Sequence, residues 1–124
     1  MSLNRVHALL GNAFSYFALA IAVWGLFHLI RRREIGGDFW GAVAIGEGLA
    51  VLQALVGIVM LIQGLMPPRL LHFLYGALTA LTWPAVFAFT RGDTGRRSVL
   101  AWTLASAALF GLALRAIVTG SVPH

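Results

Sequence analysis

A chain of 124 residues that is 60% hydrophobic and 10% charged carries more apolar surface than a water-soluble globule of its size can bury. Its formal charge of +5 is not a nucleic-acid footprint, because all nine basic residues are arginines set mostly in short turns between apolar runs. Cysteine is absent, which excludes disulfides, thiolate chemistry and cysteine-held metals. A bilayer is the apolar solvent that a mean hydropathy of +0.87 calls for.

The first apolar span covers residues 6–30, opens with His7-Ala8-Leu9-Leu10-Gly11 and stops at Arg31-Arg32-Arg33-Glu34. It is too long for the apolar region of a signal peptide and has no small-residue cleavage site before the arginines, so no cleavable leader is expected. Gly36-Gly37-Asp38 reads as a turn, with Asp38 as N-cap of the next helix. The second span covers residues 39–65, ends at Met66-Pro67-Pro68 and holds the only intramembrane acid, Glu47, together with Gln53. Gly46, Gln53, Gly57, Met60 and Gly64 recur along it at helical spacing, as a close-packed seam does. The third span, residues 70–90, opens with His72-Phe73-Leu74-Tyr75-Gly76, and Pro84 is expected to kink it. After the polar turn Arg91–Arg97 comes the fourth span, residues 98–119, with Gly120 as C-cap and Arg115 near its end.

Each span is close to the ~20 residues that cross ~30 Å of hydrocarbon. The expected fold is an all-α integral membrane four-helix bundle, a single membrane domain over residues 1–124. Its two hairpins are related by a pseudo-two-fold axis along the membrane normal. The turns after the first and third spans carry three arginines each, whereas the middle turn has only Arg69 and the N-terminal tail only Arg5. The positive-inside rule then places both termini outside a prokaryotic plasma membrane.

His7 and His72 stand 65 residues apart in the two copies of the histidine–glycine pattern. The topology puts them at one depth on non-adjacent helices. Histidines inside a membrane are costly, and a matched pair facing inward is the donor set for bis-imidazole ligation of haem iron in a bundle. Gly11 and Gly76, one turn further in, make room for a porphyrin edge. Arg115 either snorkels to the interface or meets a haem propionate. His28 has no histidine partner at its depth and reads as interfacial, and His124 sits at the chain terminus.

These residues resemble a known family. Gln53-Ala54-Leu55-Val56-Gly57-Ile58-Val59, then Leu65-Met66-Pro67-Pro68 and His72, is similar to the Q-x-x-x-G-x-x-V, L-x-P and H pattern of heme A synthases. The stretch Gly111–Ser121 resembles that family's G-x-x-x-R-x-x-x-T-G-S motif, and His7 falls where the family has the first haem-ligating histidine of a four-helix half. The resemblance implies haem ligation by His7 and His72. The family's E-x-x-H-R signature is missing, with Asn4 and Ala8 at the glutamate and arginine positions, and the chain matches one half of a two-half architecture. Hydroxylation of a haem methyl group is therefore not carried over.

The sequence expectation is a small b-type cytochrome holding one haem near the outer face, for electron transfer or haem handling. Two rivals stand beside it: a small proton-coupled transporter using Glu47, and a cofactor-free structural subunit of a larger complex. The expected partners are the lipid bilayer, haem, and either a respiratory-complex subunit or a second copy of the chain. A homodimer would pack through an exposed glycine seam, Gly46, Gly57 and Gly64.

Overall fold

The computed structural model describes residues 2–67 and 70–121, the last three as backbone only. Four helices run in order: α1 Leu3–Arg31, α2 Gly37–Ile62, α3 Leu71–Thr90 and α4 Arg96–Ser121. All four are long and apolar enough to cross a membrane, and the chain is a multi-pass membrane protein of bundle architecture. Large apolar side chains such as Ile30, Ile62, Phe89 and Leu104 point outward, as a lipid-facing surface requires.

The helix ends follow local chemistry. Ser2 caps α1, its hydroxyl accepting from the Arg5 N–H at 3.2 Å. Arg32 and Arg91 close α1 and α3 in the left-handed conformation, each at φ 53°. The backbone strain is offset by a cation beside the negative end of each helix dipole. Three boundaries differ from the sequence expectation. Gly36, not Asp38, is the N-cap of α2, and the Asp38 carboxylate instead accepts from the Phe39 N–H at 2.8 Å. α2 stops at Ile62 because Gly64, at φ 84°, turns the chain back: Leu65 N–H donates to the Met60 carbonyl and Gly64 N–H to that of Leu61, both at 2.9 Å. α4 continues through Gly120 to Ser121. α3 is one helix through Pro84, while Pro68, Arg69 and His124 lie outside the described residues.

The helices form a ring in which α1 packs most closely on α4, then α4 on α3 and α1 on α2. The α2–α3 seam is the loosest, although a two-fold axis would make it equivalent to the tight α1–α4 seam. Small residues close the tight side: a Cβ on Gly25 would collide with Thr103, and Ala18 and Ala113 are fully or nearly fully buried. Mid-bundle, Trp83 stacks against Phe14 at 5.4 Å between centroids and donates its indole N–H to Ser106 Oγ at 3.0 Å. Gly46 lies beneath that indole, where a Cβ would sit 2.6 Å from Trp83 Cζ3 and 2.9 Å from Phe17. Gly46 and Gly57 are thus taken up inside the bundle, against Trp83 and His7, whereas Gly64 lies exposed beyond the end of α2. Lipid supplies no hydrophobic drive here, so this jigsaw carries stability through dispersion contacts and one buried hydrogen bond. Trp83→Ala is expected to cost about 3–5 kcal/mol, seen as a lower melting temperature in detergent.

Both arginine-rich turns meet at one end of the bundle. Ile35 N–H donates to the Thr94 carbonyl, Thr94 Oγ1 to Glu34 Oε1, and Arg96 Nη1 to the Leu29 carbonyl, each at 3.1 Å. His28, read from sequence as interfacial, is instead buried here in a ring of Trp24, Phe27 and Phe39, donating through Nδ1 to the Trp24 carbonyl at 2.8 Å. The histidine-bearing ends of α1 and α3 gather at the opposite end.

Candidate functional site

The loose α2–α3 seam opens into a cavity of about 600 Å³ at the histidine end, inside the range typical of cofactor sites. Its walls follow helical spacing. Asn4, His7, Gly11 and Phe14 come from α1, Ala50, Gln53, Gly57 and Leu61 from α2, His72, Gly76 and Ala80 from α3, and Ala113 and Ala116 from α4. The glycines and alanines are why the space is there, and Phe14, stacked on Trp83, closes its deep end.

His7 and His72 face each other across this space, with ring centroids 5.9 Å apart and planes at 72°. The His72 Nδ1–H donates to the Ala116 carbonyl at 2.7 Å. In the neutral ring this puts the lone pair on Nε2, the arrangement typical of a metal-ligating histidine held by a backbone carbonyl. The His7 ring comes close to α2 because residue 57 is glycine: a Cβ there would be 3.3 Å from His7 Cε1. Two polar atoms at this wall are buried without a hydrogen-bond partner among the described residues, His7 Nδ1 and Gln53 Oε1.

The glycines read from sequence divide in role. Gly76 has open space where its Cβ would be. Gly11 lines the cavity too, with the Gln53 amide beside it, whose Nε2 would lie 3.0 Å from a Cβ at that position. Arg115 is not brought to the cavity wall; it is exposed on α4 with its guanidinium 6.0 Å from the Tyr75 ring centroid. Arg115→Leu is accordingly expected to leave ligand spectra and midpoint potential unchanged, measured by redox titration of the purified protein. Glu47 is half-buried on α2 outside the cavity lining, and its Oε1 lacks a hydrogen-bond partner among the described residues.

Sequence reasoning missed Gln53 and Gly57 as neighbours of His7. Their i, i+4 spacing, matching that of His7 and Gly11 on the facing helix, was the available signal.

Two opposed imidazoles are a donor set for a metal already held in four equatorial positions. Among the described residues no group of three or more His, Cys, Asp or Glu side chains gathers to make a self-sufficient metal site. Centroids 5.9 Å apart are within the reach of one metal ion that both rings would hold, at ligand bonds of about 2 Å. Comparison with known proteins adds no relative: no family model matches the chain, and no curated protein or solved structure matches it.

Proposed function

We propose that this protein is a small membrane cytochrome of the b type, holding one haem between His7 and His72 for electron transfer or haem handling. One observation carries the reading: two imidazoles from different helices, with ring centroids 5.9 Å apart, line one cavity with many glycine and alanine walls. When bound, the haem would supply a one-electron couple, and being held by both His7 and His72 would suit it to electron transfer over oxygen chemistry. This chain's own contribution is positional. The Ala116 carbonyl orients His72, Gly57 lets His7 lie against α2, and Gly76 leaves the room opposite. The resemblance to heme A synthases supports the same ligand pair and rests on the quoted motifs alone.

The test is reconstitution. Hemin titrated into cofactor-free protein in detergent should saturate at one per chain and give a low-spin spectrum, with His28→Ala behaving as the wild type. A titration without saturation, or a spectrum equal to that of hemin in empty detergent, would end the proposal.

The orientation belongs to the same proposal: both termini outside a prokaryotic plasma membrane, with the haem toward the outer face. It is motivated by both arginine-rich turns lying at one end of the bundle. Reporter fusions at Gly37 and after residue 121 should report opposite compartments, Gly37 inside. A reporter at Gly37 that is active only outside would invert the arrangement.

One observation favours a second reading, a proton-coupled transporter: the buried Glu47 oxygen without a partner among the described residues. Glu47→Gln separates the two, since it leaves haem binding intact under the first reading and abolishes proton-driven uptake under the second.

A further inference from the structure

At the arginine end, a second and smaller cavity of about 140 Å³ lies between the end of α1 and the start of α4. It is too small for a cofactor and of the order of a single tetrahedral oxyanion. Three guanidinium-bearing side chains line it, Arg32, Arg33 and Arg96, together with His28 and a single carboxylate, Glu34. Because the two turns are tied by the Ile35–Thr94 and Thr94–Glu34 hydrogen bonds, charges 64 residues apart in sequence, Arg32 and Arg96, line one space.

The donors are held in place. Arg96 is anchored through Nη1 on the Leu29 carbonyl, which leaves the rest of its planar fork in a fixed orientation. The backbone of Arg32 is fixed by its own N–H on the last turn of α1. The acids nearby are engaged: Glu34 Oε1 accepts from Thr94, and Asp93 Oδ2 accepts from Gly95 N–H and Ser98 Oγ. The positive end of the α4 dipole is met by the Asp93 carboxylate, which lies outside the cavity lining, so the charge facing the cavity comes from the arginines. His28 is held through Nδ1 on the Trp24 carbonyl and contributes no fixed charge of opposite sign.

The surroundings favour a lipid as the source of the anion. Leu26 and Ile30, one turn apart on α1, are 50% and 70% exposed just inside the arginines. Beside them Phe27 carries the guanidinium groups of Arg31 and Arg33 at 5.8 and 5.6 Å from its ring centroid. Leu26 and Ile30 lie on α1 within a turn of the pocket-lining Leu29 and Arg33, the relation an acyl chain has to its phosphate. We infer that this pocket binds the phosphate of an anionic phospholipid, with an acyl chain along Leu26 and Ile30. The pocket shares no residue with the cavity of the histidine pair.

The test uses the full chain in nanodiscs and detergent. Native mass spectrometry counts phosphatidylglycerol retained per chain, and inorganic phosphate is offered separately as a soluble competitor. Arg32→Gln/Arg33→Gln removes two charge-assisted contacts to the phosphate and should lower retention by about twenty-five-fold or more. Arg91→Gln/Arg97→Gln removes the same charge at residues outside the cavity lining, and should lower retention by no more than about fivefold. Phosphatidylcholine should not be retained by any form. Equal losses in the two double variants would overturn the inference by showing only diffuse attraction. Saturable binding of inorganic phosphate without retention of phosphatidylglycerol would overturn the lipid assignment and leave a phosphate site. Helical circular dichroism of each variant checks that a loss is not unfolding.

Discussion

His72→Ala is expected to remove the low-spin haem signal altogether, and His7→Ala to convert it to high spin or remove it. Under the proposed ligation each substitution deletes one ligand, and no other histidine lies within reach among the described residues, since His28 is buried at the opposite end of the bundle beside the arginine turns. The two variants are not expected to be equal. His72 is pre-set by its hydrogen bond to the Ala116 carbonyl, so the chain without His7 keeps one oriented ligand. His7 has no such anchor on Nδ1 among the described residues and is seated by its contact with Gly57, so the chain without His72 keeps the less firmly oriented ligand. Absorbance and electron paramagnetic resonance of both variants check this. Unchanged low-spin spectra in either would remove that histidine from the site.

Gly57→Leu is expected to be as damaging as losing a ligand, without touching one. A Cβ at residue 57 already comes within 3.3 Å of His7 Cε1, and the remaining leucine atoms need the space the ring occupies. Ligand sets tolerate displacements of only about 0.5 Å, so haem affinity should fall at least tenfold, about 1.4 kcal/mol. Gly111→Leu is the control, because nothing lies within 4 Å of the corresponding Cβ position on the exposed face of α4. Hemin titration of both variants reads the difference. Equal affinities for Gly57→Leu and wild type would mean that His7 is not seated against α2 when ligand binds.

The architecture was legible because hydropathy and arginine placement are one-dimensional signals. Four apolar runs separated by charged turns leave few alternatives, and the helices fall within a few residues of the expected spans. Pairing across the bundle was less legible. The repeat pointed to His7 and His72, and the structure brings them to 5.9 Å. Gly11 and Gly76, read together as making room, both line the cavity, but only Gly11 has the Gln53 amide beside it, because which facing side chain meets a glycine depends on helix rotation. Arg115 follows the same logic: depth along α4 is readable from sequence, but the face it presents is set by packing against α3, which directs it over Tyr75. The asymmetry between the α1–α4 and α2–α3 seams, which creates the cavity, depends on side-chain volumes summed across helices and has no signature in any single segment.

The central claim is tested most directly by the reduced-minus-oxidised absorbance spectrum of the protein purified from haem-replete cells. A sharp α-band of low-spin b-type haem, at one haem per chain, is the predicted result. A colourless protein that remains colourless after addition of hemin would contradict it.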